Sequence, residues 1–316
     1  MNRIRAKPDP KVTELGPPEV LSRGPASPTP VPRDIAPPSI VTVSVTMDAA
    51  IASPQPDAGQ ANLPSRRRLR AEILIVLGLS LGKSGIYAIV KLAERYAADT
   101  PVGNQSTTIN PSRSGIDVFD LIYQILSITF ALVPVALALY LLSSNGTPAK
   151  RILGLTGPAR EWWKDIGLGA ALAALIGLPG LGVYYIGRAI GQNVHIDTSG
   201  LPDSWWASTV LLTAAAAAAI LEETIVVGYL VTRLEQLRWK LPAILIASAL
   251  LRGSYHLYQG WPMALGNVVM GLVFAWVFYK RRRLLPLMVA HFLLDFVSFV
   301  GPEVVPHEWL VALGLV

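Results

Sequence analysis

The chain has 316 residues, 52% of them hydrophobic and 15% charged, with a formal net charge of +6 and no cysteine. Soluble domains carry about a quarter charged residues, so this balance excludes an ordinary soluble enzyme, and the missing cysteines exclude a disulfide scaffold. The basic residues sit in short clusters at the ends of apolar runs, not in the continuous stripe that a phosphate backbone requires, which excludes nucleic acid as a partner.

Thirteen of the 25 prolines precede Ser65. Residues 1–65 therefore read as a disordered, Pro-rich tail that cannot bury enough apolar area to offset its ordering entropy. Its one β-prone patch, IVTVSVTM from Ile40 to Met47, is short, and no apolar stretch follows the first basic residues as a secretory signal would need. From Ala71 the sequence breaks into apolar runs of about 18–25 residues, the length a bilayer core demands of a helix. They fall near 71–93, 116–142, 166–187, 205–232, 241–258, 262–280 and 284–301. The expected fold is all-α and polytopic, with about seven membrane-spanning helices. Residues 66–203 supply the first helices, 204–303 carry the chemistry described below, and 304–316 form a short interfacial segment.

Seven crossings collect most of the basic clusters on one side. These are Arg66, Arg67, Arg68 and Arg70; Lys150, Arg151, Arg160 and Lys164; Arg233, Arg238 and Lys240; and Lys280 to Arg283. Arg95, Arg113 and Arg188 fall opposite. By the positive-inside rule the N-terminus is cytoplasmic and the C-terminus external, in the plasma membrane, with lipid as the surrounding partner. The small-residue run Thr213–Ala219 predicts close helix approach, and GLPGLG at 177–182 predicts a kink or loosening in the third run.

An ionisable residue in a span costs at least about 2.5 kcal/mol on insertion scales, so each needs a reason. The fourth run contains Glu222 and Glu223, the fifth Arg252 and His256, and the seventh His291 and Asp295. His291 and Asp295 share one helix face, as do Arg252 and His256. The adjacent glutamates are expected to diverge by about 100°, one facing a reaction centre and the other pairing with a cation. Three chemistries fit these residues. Two imidazoles with carboxylates can hold a divalent metal such as Zn2+, through Glu222, His256 and His291. A buried Glu can activate water without metal while His and Asp hold an oxyanion. A proton-coupled transporter can use the same groups, and a structural ion-pair network is the plainest reading. Depths counted at 1.5 Å per residue come to about 16 Å for Glu222, 12 Å for His291 and 24 Å for His256, so convergence requires a tilt, a kink or shifted helix ends.

These residues resemble the motifs of the CPBP intramembrane proteases, a family that includes the type II CAAX prenyl endopeptidases and bacteriocin-immunity relatives. The family's EExxxR followed by a GYL-like stretch is matched by Glu222-Glu223-Thr224-Ile225-Val226-Val227-Gly228-Tyr229-Leu230. Its FxxxH is matched by Arg252 to His256, and its HxxxN or HxxxD by His291 to Asp295. The resemblance covers about Ser204 to Val300 and implies an intramembrane endopeptidase acting on a membrane-associated peptide or protein, the named substrate type being a prenylated CAAX protein. It implies that Glu222 polarises the attacking water, Glu223 supports it, and His256 binds the same water or a metal. His291 and Asp295 would then steady the oxyanion or complete the metal shell. No HExxH is present, so a zincin-type site is not expected. Two positions depart from the pattern: Val227 stands in the arginine slot and Arg252 in the phenylalanine slot. Arg252 could restore the missing charge by pairing with Glu223 from the neighbouring helix. The departure at Val227 also leaves open a catalytically silent relative that binds a membrane partner. Inverted repeats, which would favour a transporter, are not evident.

Lys83, in the first run, is a further candidate for closing the cavity. Asp117 and Asp120 read as helix-end residues, Asn267 as an interhelical hydrogen-bond donor, and Tyr229, Tyr255 and Tyr258 mainly as packing. Trp162, Trp163, Trp205, Trp206 and Trp261 read as an interfacial aromatic belt. His195 and His307 carry no expected role.

Overall fold

The computed structural model describes residues 63–143, 146–197, 200–201, 203–304 and 308. Most of the tail and most of the segment after residue 304 lie outside them, and with them the Ile40–Met47 patch and His307.

Helix α1 (Arg66–Leu79) begins where the Ser65 hydroxyl accepts a hydrogen bond from the Arg68 backbone N–H at 3.3 Å, satisfying one of the orphan donors of a helix start. The first apolar run is not one straight helix. It bends by 54° at Ser80 before α2 (Leu81–Ala97), and the Ser80 hydroxyl turns back to the Val76 carbonyl at 2.6 Å. Next come α3 (Asp117–Ala131) and α4 (Val133–Ser143), the short α5 (Ala149–Ile152), and α6 (Ala159–Ala189). Helix α6 is continuous through Pro179, so the GLPGLG stretch does not interrupt it. The chain continues with α7 (Ala207–Glu222), a π-helical stretch (Glu223–Tyr229), α8 (Leu230–Gln236), α9 (Leu241–Tyr255), α10 (Trp261–Arg281) and α11 (Leu285–Val304). The all-α expectation needs one amendment: β1 (Ser106–Thr108) and β2 (His195–Asp197) pair in parallel, so His195 sits on a strand.

Four helical segments among the described residues are long and apolar enough to cross a membrane: Asp117–Ser143, Ala159–Ala189, Ala207–Gln236 and Trp261–Arg281. The bent pair α1–α2 would make a fifth, while α9 and Leu285–Phe299 are shorter apolar helices. Helix α7 buries Ala215, Ala217 and Ala219, as its run of small residues predicts. Close crossing recurs at Gly271 of α10, where an added Cβ would lie 2.8 Å from the Ala249 Cα of α9.

All seven residues of the π-helical stretch are buried. Ile225, Val226, Val227 and Tyr229 form the middle of an apolar cluster with Leu142, Leu153, Ile244, Phe274 and Leu287. A π-helical turn shifts the backbone hydrogen-bond ladder by one residue. Side-chain hydroxyls supplement it here: Ser248 donates to the Val226 carbonyl at 2.9 Å and Thr232 to the Gly228 carbonyl at 2.6 Å.

Several expected surface residues are internal. Arg233, counted above as a flanking charge, is fully buried. It donates to Glu72 and to the Leu141 carbonyl, both at 2.8 Å, so α8 is tied to α1 and α4. Trp206 is buried, and its indole N–H donates to Asp117 at 3.1 Å, which removes it from an interfacial belt. Asn267 bonds within its own helix to the Met263 carbonyl at 3.0 Å, not between helices. At the α10–α11 turn, Arg283 forms a two-pronged pair with Asp165 of α6, and those hydrogen bonds raise its pKa.

Candidate active site

Six of the residues singled out from the sequence converge, and they come from three helical segments. Glu222 is the last residue of α7 and Glu223 the first of the π-helical stretch. Arg252 and Tyr255 lie on the final turn of α9, and His256 follows directly, where the helix stops and a 3-10 turn begins at Leu257. His291 and Asp295 face the same centre from α11. Helix α9 ends at the site, and the α7 segment changes its winding there.

Glu223 and Arg252 form an ion pair with both side chains fully buried. The same Glu223 oxygen, Oε1, lies 2.7 Å from His291 Nδ1. Arg252 therefore supplies, from α9, the cation that the sequence lacks at Val227, which is itself buried among apolar neighbours. The guanidinium is further enclosed by Met270 and by the Phe274 ring, whose centroid is 5.3 Å away. Burying an unpaired charge is costly, and this arrangement compensates it on several sides.

Glu222 was expected to point away from Glu223, yet both carboxylates reach one cluster. A π-helical turn advances less around the axis per residue than an α-helical one, and each glutamate has flexible methylenes to redirect its head. Glu222 Oε2 accepts a hydrogen bond from the Tyr255 hydroxyl at 2.7 Å. It also lies 3.6 Å from Arg252 Nη1 and 3.8 Å from both His256 Nε2 and His291 Nε2. His291 Nε2 is in turn 3.6 Å from Asp295 Oδ2. Separations of this size are too long for direct hydrogen bonds and invite a bridging water. Both ring nitrogens of His256 are buried without a hydrogen-bond partner among the described residues, although Nε2 faces Glu222.

Tyr255 is the site residue that sequence reasoning undervalued. Its position three residues after Arg252 puts it on the same helix face, and that spacing was the available signal. Tyr258 stacks over His256 with ring centroids 6.4 Å apart and accepts a hydrogen bond from Gln259. Tyr229 belongs to the Arg233 network. Lys83 is exposed on α2.

The Arg252 guanidinium beside Glu222 disfavours a metal ion on that carboxylate. Among the described residues no group of three or more His, Asp or Glu is arranged to hold an ion. Tetrahedral zinc with donors at about 2.0–2.1 Å places ligand atoms about 3.3 Å apart, against 3.8 Å from Glu222 Oε2 to each imidazole here. A dication on Glu222 Oε2 would also meet the buried guanidinium 3.6 Å from that oxygen. The expected Zn2+ set of Glu222, His256 and His291 thus converges on Glu222 Oε2, but with the Arg252 guanidinium already beside that oxygen.

Comparison with known proteins adds one finding. Residues 204–297 match the family model of the type II CAAX prenyl endopeptidases, Rce1-like. The match is Rce1-like over under a third of the chain, but that part holds every residue of the cluster from Glu222 to Asp295. Neither a curated protein nor a solved structure matches the chain. The Rce1-like segment is also anchored to the helices before it. At its first residue the Ser204 hydroxyl bonds to Asp117 of α3, Arg233 pairs with Glu72 of α1, and α11 packs along α6.

Proposed function

We propose that the protein is an intramembrane endopeptidase that hydrolyses a peptide bond in a membrane-associated protein or peptide of the CAAX-prenylated type. The observation that carries this reading is the cage around Glu222: one carboxylate oxygen facing two imidazole nitrogens, inside a site walled by apolar side chains. We further propose seven crossings of the plasma membrane with a cytoplasmic N-terminus, a topology that the grouping of basic residues supports.

In this mechanism a water held between Glu222 and His256 loses a proton to Glu222 as its oxygen attacks the scissile carbonyl carbon. The carbonyl oxygen becomes an oxyanion beside His291 Nε2 and Asp295. His291 Nδ1–H donates to Glu223, so a second proton on Nε2 makes the ring an imidazolium that can hold the oxyanion. The Asp295 carboxylate, 3.6 Å from His291 Nε2, stands beside that imidazolium and orients it. The tetrahedral intermediate collapses, the carbon–nitrogen bond breaks, and Glu222 returns its proton to the leaving amine. Such charge stabilisation is strongest where water is excluded. Because Arg252 neutralises Glu223, the absence of arginine at position 227 gives little support to a catalytically silent relative.

The test is a cleavage assay on the full chain purified in detergent, with a farnesylated CAAX peptide as substrate and product masses as the readout. The expected result is release of the terminal tripeptide, unchanged by metal chelators. No cleavage of prenylated or unprenylated peptides would sink the hydrolase reading, and chelator-sensitive cleavage would sink its metal-free chemistry. Tyr255→Phe is expected to lower kcat by about tenfold with little change in KM, because Glu222 loses a charge-assisted hydrogen bond. Parent-like kcat would remove Tyr255 from the mechanism.

A further inference from the structure

An open groove of about 430 Å3 runs between α1, α8 and α9, lined on α9 by Ala247 and Leu251 and by none of the residues of the Glu222 cluster. Leu74 and Leu77 of α1 and Leu234 of α8 continue its wall. Arg70 and Trp239 also line it, both close to the start of a helix: Arg70 on the first turns of α1 and Trp239 just before α9. The groove therefore has a cationic, aromatic mouth and an apolar length, from Arg70 to Leu77 about 10 Å along the helix.

Among the described residues the charge at the mouth is uncompensated. Arg66 and Arg67 lie four and three residues before Arg70, and so on its side of α1, and Lys240 follows Trp239. All four basic side chains are exposed. None has an ion-pair or hydrogen-bond partner among the described residues, in contrast to Arg68, which is committed to Glu72 at 2.8 Å. A ligand complementary to both parts has an apolar chain and an anionic head. A zwitterionic head would leave the four cations in excess, whereas a tryptophan at the boundary suits the depth at which lipid heads and tails meet.

We propose that this groove is a binding site for an anionic glycerophospholipid. One acyl chain lies along Leu74, Leu77, Leu234 and Leu251, and the phosphate is held by Arg70 with help from Lys240, Arg66 and Arg67. The site is separate from the proposed hydrolytic centre, and its occupancy does not depend on peptide cleavage.

The experiment is a native mass-spectrometry titration of the full chain in detergent with phosphatidylglycerol and, separately, phosphatidylcholine. It is repeated for Arg70→Gln/Lys240→Gln and for Ala247→Trp, whose indole would fill the groove, with thermal unfolding as a check on folding. The expected result is at least tenfold tighter retention of phosphatidylglycerol by the parent. The charge variant should lose that preference, and Ala247→Trp should lose binding of both lipids. Equal retention of the two lipids, or a preference unchanged in Arg70→Gln/Lys240→Gln, overturns the proposal. A groove that takes up a farnesylated peptide but no phosphatidylglycerol would reassign it to substrate and overturn it equally.

Discussion

Glu222→Gln is expected to lower kcat for peptide cleavage by about 10²–10⁴-fold, the range that a positioned general base contributes. The amide keeps the size of the carboxylate and can still accept the Tyr255 hydroxyl hydrogen bond, so folding and KM should change little. What it loses is the capacity to take a proton from water and return it to the leaving nitrogen. The measurement is steady-state cleavage with thermal unfolding in the same detergent, which separates a chemical defect from a folding one. Equal turnover by the parent and Glu222→Gln would mean that another group activates the water. Glu223→Gln offers the contrast. Glu223 has no exposed surface and is occupied by Arg252 and His291, so its loss should reduce stability as well as rate.

How much of this was legible beforehand follows from the kind of signal each residue leaves. Glu222, His256 and His291 stand out because charge in an apolar run is costly, and helical spacing alone aligns His291 with Asp295 and Arg252 with His256. The partnership of Arg252 with Glu223 was also within reach, since a buried carboxylate demands a cation and the fifth run offered one four residues before His256. The π-helical stretch was not legible. Its residues, Glu223 to Tyr229, have no propensity that separates a π turn from an α turn, and its burial among Leu153, Ile244 and Phe274 is a property of the assembled helices. Arg233 misled for a related reason. A basic residue after an apolar run has the same sequence appearance whether it flanks a membrane or pairs internally with Glu72, 161 positions away. Likewise the 54° bend at Ser80 depends on a serine hydroxyl returning to a backbone carbonyl, which composition does not announce.

Arg252→Leu is the substitution expected to do most harm to the fold. It leaves Glu223 buried with no cation, and removing one partner of a buried pair costs about 3–5 kcal/mol. Activity should fall with it, since Glu223 holds His291 Nδ1 and thereby decides which imidazole nitrogen faces Glu222. Stability and catalysis can be separated with Arg252→Leu/Glu223→Leu, in which neither charge is left alone. That variant should recover much of the lost stability, because apolar replacements of a buried pair are often neutral or better. It should not recover turnover, because His291 then has no carboxylate at Nδ1 to fix its tautomer and orientation. Restoring arginine at Val227 in the Arg252→Leu background should regain part of both, since position 227 follows Glu223 by about one helical turn. Unfolding midpoints and kcat for the four proteins decide the matter. A parent-like Arg252→Leu, with nothing gained on adding arginine at 227, would show that the guanidinium neither stabilises Glu223 nor positions His291.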